Sequence, residues 1–155
     1  MTYQNSYRYV MTRLYQSGST PNPIIAELPF TQVNFTQELN NIGSFQGRLL
    51  LSGFDAQKYN VDQGTRPGYA ALYVIHNTDI VWAGVIWTRE YDSDSQTLSI
   101  TAQEIMSYFG RRRLTVDKDY THNPLDPDGY YDPQVIAKGL IDWAQTVSHG
   151  NIGLQ

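Results

Sequence analysis

YAALYVIHNTDIVWAGVIWTREYDSDSQTLSITAQEIMSYFGRRRL, residues 69–114, is the stretch from which the fold is read. Two apolar runs, 70–75 and 80–87, flank the polar His76-Asn77-Thr78-Asp79. Short segments rich in β-branched and aromatic residues, separated by turn formers, predict a β-hairpin. Residues 97–102 (TLSITA) alternate polar and apolar at period two, as a half-buried strand does. Thr101-Ala102-Gln103-Glu104 then fits a capping box, predicting a short helix that stops at Gly110. The run 80–87 is apolar on both alternating sets: Ile80, Trp82 and Ile86 on one side, Val81, Val85 and Trp87 on the other. A strand apolar on both sides must be covered on both, in a barrel or sandwich or against a neighbouring subunit.

Upstream, residues 7–15 read as a first strand, 17–23 as turns, 24–28 as a short strand, and 33–39 as a strand with one buried face. Residues 40–43 turn the chain and 44–51 return as the partner of 33–39; 54–61 has a helical bias and 62–68 is a polar connection. Downstream, 117–131 is an acidic loop. Asp132 as N-cap and Pro133 at the first helical position open a helix over 132–150, with Val135, Ile136, Leu140, Ile141, Ala144 and Val147 at helical spacing. Residues 151–155 complete no element, so the native polypeptide is expected to continue past Gln155. The expectation is a mainly β protein with minor α: an antiparallel barrel or sandwich over 1–116, one short helix, and a longer C-terminal helix packing on it or starting a further domain.

Composition narrows the function. A chain of 155 residues with 41% hydrophobic content is long enough to bury a core as one domain. A net charge of −4 argues against a general nucleic-acid binder, which needs a basic surface. Without cysteine there is neither a disulfide nor a thiolate metal site. No apolar run reaches the roughly 18 residues that a spanning helix needs, and the N-terminus shows no apolar signal region.

Catalytic signatures are thin. His76, His122 and His149 lack ligand-spaced neighbours, and Gly43-Ser44-Phe45-Gln46-Gly47 has its serine one place out of register for a nucleophile elbow. Asp126 and Asp128, in Asp126-Pro127-Asp128-Gly129, are the best metal candidates, for calcium. On the EF-hand template, however, positions one and twelve would be Pro124 and Val135, which carry no carboxylate; a solvated turn is the plainer reading. Arg111, Arg112 and Arg113 follow a helix end, where cations complement the partial negative charge; internal pairing is the first reading, a subunit interface the second and nucleic acid the third. Trp82 and Trp87 are core or interface candidates, and sugar stacking is their rival role. No cofactor is implied.

Four segments together resemble a known family. Leu39-Asn40-Asn41-Ile42-Gly43-Ser44-Phe45-Gln46-Gly47 precedes a Leu-rich strand, and Trp82-Ala83-Gly84-Val85-Ile86-Trp87 closes the hairpin. Leu98-Ser99-Ile100-Thr101-Ala102-Gln103-Glu104 is followed by Tyr108-Phe109-Gly110-Arg111-Arg112-Arg113. In order and spacing these resemble the tail-hub minor tail proteins of siphophages, of the type found in actinobacterial phages. The resemblance implies a non-enzymatic β-barrel subunit related to the tail-tube fold, made in the host cytoplasm and carried in the virion. It implies a homotrimeric ring at the distal tip of a long non-contractile tail, touching the distal tail protein, the tape measure and tip or fibre proteins. Family members are much longer, so the chain corresponds to the N-terminal part. The alternatives are a carbohydrate-binding module for host attachment and a cell-wall-degrading tail domain.

Overall fold

The computed structural model describes residues 6–14, 23–52, 58–120, 131–147 and 152. Seven strands form one antiparallel sheet: β1 (Tyr7–Arg13), β2 (Ile24–Glu27), β3 (Thr31–Phe35), β4 (Ser44–Leu50), β5 (Ala70–His76), β6 (Asp79–Asp92) and β7 (Thr97–Glu104). Three helices accompany them: α1 (Val61–Gly64), α2 (Met106–Gly110) and α3 (Pro133–Thr146). The strand order is β2-β1-β5-β6-β7-β4-β3, so the mainly β expectation holds. A single sheet takes the place of a two-sheet sandwich.

The two edges of that sheet are consecutive in the chain. β2 and β3 are separated only by Leu28-Pro29-Phe30, and because every neighbouring pair is antiparallel, they run in the same direction. A flat sheet of this order would hold them about 29 Å apart at ~4.8 Å per strand, whereas the link reaches ~14 Å at most. The sheet must therefore curl. β2 and β3 act as two halves of one bent strand, the first paired with β1 and the second with β4. The backbone amides record the hand-over. Leu28 N–H still donates to Tyr9 O at 3.0 Å, Pro29 has no donor, Phe30 N–H bends back to Leu28 O at 3.0 Å, and Thr31 Oγ1 donates to Arg48 O at 3.2 Å. Proline belongs where a ladder is interrupted, because it has no N–H to offer. No ladder joins β2 to β3 among the described residues, so the sheet is curled but open.

The core lies inside the curl. Met11, Leu28, Phe45, Leu49, Leu72, Val74, Trp82, Ile86 and Ile100 are fully buried there. Strands far apart in the order meet across it: the Tyr9 and Phe45 rings are 6.1 Å apart, and those of Phe30 and Phe45 6.0 Å. A smaller cluster on the outer face joins Ala71 and Val85 to Leu14, Tyr108 and Ile152. Around Val85, β6 is thus covered on both sides, and the second cover there is the chain's own α2.

Several expectations need correction. β6 runs on to Asp92 with two register shifts, one between Val74/Ile75 on its partner and one between Ile86/Thr88. Each bulge adds one residue and exchanges the faces beyond it. Val81 therefore packs on the main core while Ile80 is 62% exposed on the outside, the reverse of simple alternation. Thr101–Glu104 is not a capping box; β7 continues through it, α2 follows Ile105 without a side-chain cap, and Glu104 Oε2 instead accepts from Gly43 N–H at 2.9 Å. α2 is short and ends at Gly110 as expected, although Gly110 has no left-handed φ. β1 ends at Arg13, and β3 covers Thr31–Phe35, not 33–39. A helical turn occupies Val61–Gly64 where a plain connection was expected. α3 starts as expected, with Asp132 Oδ1 accepting from Gln134 N–H at 2.8 Å and Pro133 in the first turn, but ends at Thr146 and not near residue 150. Residues 54–57 and most of 151–155, the expected open end, lie outside the described residues.

Candidate functional site

The bulge in β6 positions the side chains that matter on the outer face. Trp87 is the extra residue between Ile86 and Thr88. Its indole Nε1–H donates to Ser107 Oγ at 2.8 Å, which fastens α2 to the sheet. The Arg111 guanidinium then stacks over the Trp87 ring at 4.1 Å, and Arg112 over Tyr108 at 4.4 Å. Beside them, Gly68 lies against Trp87: a Cβ there would be 3.8 Å from its Cζ3. The next residue, Tyr69, carries two guanidiniums, Arg13 at 5.3 Å and Arg66 at 5.2 Å from its ring centre. Leu14, which follows Arg13, binds this segment back by donating N–H to Tyr69 O at 2.8 Å. Arg13, Tyr69, Arg66, Trp87 and Arg111 so form one arginine–aromatic surface running from the sheet rim onto α2. Arg111, Arg112 and Arg113 also line a cleft of about 280 Å³ with Trp143, Ala144 and Val147 of and after α3.

Such stacking fixes the guanidinium by its face, worth ~0.5–1 kcal/mol at exposed sites; Arg66 and Arg111 remain exposed, whereas Arg13 Nε is buried. Guanidinium N–H edges match carboxylate or phosphate oxygens two at a time. Arg66 and Arg111 are therefore the guanidiniums of this surface that are open to a partner. Arg13, Arg66 and Tyr69 were not singled out in the sequence, since nothing local marks residues that the fold brings together from two separate turns.

The expected interface residues divide. Trp87, Arg111, Arg112 and Arg113 come together as described. Trp82 does not: it is 1% exposed, packs on Phe45 with ring centres 5.6 Å apart, and donates Nε1–H to Thr36 O at 3.1 Å. It is a core residue because it alternates onto the same inner face as Ile86; the bulge at Val81 displaces only Ile80 from that face. Asp126 and Asp128 lie outside the described residues. Among the described residues, no group of three or more histidines and carboxylates gathers as a ligand set, and no helix is long and apolar enough to cross a membrane.

Two further concavities among the described residues are larger than this cleft. One of about 620 Å³ opens at the rim below α1, lined by Leu51, Val61, Arg89, Tyr91 and Leu98. Arg89 reaches it because the second bulge turns it to the inner face; it pairs with Asp62 Oδ1 at 2.8 Å and donates to Thr65 Oγ1 at 3.3 Å, so its charge is spent on holding α1. The other, about 400 Å³, is a polar groove on the outer sheet face, with Gln46, Arg48, Thr88, Glu90, Ser99 and Thr101. Perturbed carboxylates lie away from all three. Hydrogen bonding from Arg8 holds Glu27 below its ordinary range, and the Ser95 hydroxyl, then the Asp94 and Ser95 amides, do the same for Asp92. Burial, with Tyr7 nearby, raises Tyr9. None of these shifts creates an acid–base pair.

Comparison with known proteins finds no matching family model, no matching curated protein and no matching solved structure.

Proposed function

We propose that the chain is a structural subunit of a phage tail, a hub component at the distal tip of a long non-contractile tail, acting by contact and without catalysis. The observation that carries this reading is where the family-like segments fall. Residues 39–47, 82–87 and 98–104 are scattered in sequence, yet β6, β7 and β4 are neighbours in the sheet, and 108–113 sits on the outer side of β6. The resemblance therefore covers one continuous part of the molecule, as an inherited structural unit would. A curled sheet filled with side chains and carrying an arginine–aromatic surface is suited to making contacts with neighbours.

Gold-labelled antibody against the chain, applied to purified virions from cultures that express it, should decorate the distal tail tip. Decoration of capsids, or of no virion part, would reject the proposal. The polar groove keeps the sugar-binding alternative specific. It offers hydroxyl, amide and charged groups, although no aromatic ring lines it. Glycan titration that shifts tryptophan fluorescence would favour that reading.

A further inference from the structure

We infer that the arginine–aromatic surface receives the carboxylates of a second copy of the chain, in a head-to-tail contact; this rests on the self-assembling reading above. The ion pairs among the described residues are Arg8–Glu27, Arg89–Asp62 and Lys138–Asp142, and none uses Arg13, Arg66 or Arg111 of the surface, or Arg113, which lines the adjoining cleft with Arg111. Arg13 Nε is buried with no hydrogen-bond partner. Its chain neighbours 15–22 (YQSGSTPN) contain no carboxylate, and Asp62, close to Arg66 in sequence, is taken by Arg89. The faces of three of these guanidiniums are already fixed on Tyr69 and Trp87, so little further ordering is needed to engage their edges.

Charge selects the partner. Apart from these four arginines, the chain holds seven Lys and Arg against fifteen Asp and Glu. One copy thus presents a cationic patch and a strongly acidic remainder, which are complementary between copies. Two patches cannot face each other across a twofold axis, because like charges would then meet. The contact joins different surfaces, and repeated head to tail as proposed it closes into a ring or runs on as a filament. Nucleic acid fits less well. The net −4 charge repels a polyanion, and the guanidiniums cover Tyr69 and Trp87, where bases would stack.

Sedimentation equilibrium of the full chain at low and high salt tests this, with R66E/R113E as the variant and circular dichroism confirming its fold. Arg66 and Arg113 are both exposed, so the fold tolerates the reversal. The wild type should self-associate, about tenfold more weakly in 0.5 M than in 0.05 M salt, and the variant should associate at least about tenfold more weakly than wild type in low salt. R66K/R113K, which keeps the charge but loses the planar fork, should fall between them. A wild type that stays monomeric, association indifferent to salt and to both variants, or a variant that loses only affinity for an oligonucleotide would overturn the contact. Charge-dependent association of a chain absent from phage tails would support the contact and sink the tail reading. Tail-tip labelling with charge-indifferent association would do the opposite.

Discussion

The indole of Trp82 donates to the carbonyl of Thr36 at 3.1 Å, linking the first part of β6 to the chain just beyond β3. β6 and β3 are three places apart in the strand order, so this bond spans the inside of the curl. W82F keeps most of the packing but strands the Thr36 carbonyl, and should cost about 1–3 kcal/mol. W82A also leaves a cavity and should cost ~3–5 kcal/mol. Urea denaturation of both variants measures the difference.

Gly84 and Gly110 should respond oppositely to alanine. A Cβ on Gly84 would collide with the Gln103 carbonyl and the Trp82 ring, both fixed in the interior. G84A should therefore destabilise by roughly 1–3 kcal/mol or more. Nothing lies within 4 Å of a Cβ at Gly110, and its helical backbone suits alanine. G110A should be stabilising by up to ~1 kcal/mol. Thermal melts of the two variants decide it by sign.

Arg89 holds α1 over the rim through Asp62 and Thr65. R89M retains the stem and removes the clip, so amides of 61–65 should exchange faster while strand amides in β5 and β7 keep their protection. Uniform loss of protection throughout the sheet would show instead that Arg89 supports the whole fold.

Asp132 caps α3, and D132A should cost about 0.5–2 kcal/mol of helix stability. Exchange protection within 134–138 is the appropriate measure, because α3 lies outside the main core.

The pH dependence follows from Asp92. Its folded pKa lies below the ordinary value, so its contribution is present at neutral pH and is lost as pH falls below about 4. D92N should flatten that acid limb of the stability profile and leave the profile near pH 7 without a new slope. Glu27 has the same sign, and R8A should remove its share of the acid limb.

Much of this architecture was legible in the sequence, and the failures have physical causes. Strand alternation around Leu98 and Ile100, the Asn77-Thr78 turn and the Asp132-Pro133 helix start are local signals, and local chemistry determines them. The bulges at Val81 and Trp87 leave no local mark, yet each exchanges faces, the first exposing Ile80 and the second turning Arg89 inward. Glu104 looked like a capping residue but finds the Gly43 amide, a partner that only the β4–β7 pairing brings near. The strand switch at Pro29 is visible once the order is known, since a proline between two short strands is otherwise just a turn. Half of the candidate surface, Trp87 with Arg111 to Arg113, could be picked out along the chain. Arg13, Arg66 and Tyr69 could not, because they meet only when β1 pairs with β5.

A tail-tip reconstruction by electron cryomicroscopy tests the proposed contact-forming role most directly. Copies of this curled sheet should be arranged around the tail axis at the distal end, with Arg66, Arg111 and Arg113 of each facing carboxylates of the next. A tip reconstructed to side-chain detail in which no density fits this sheet would contradict it.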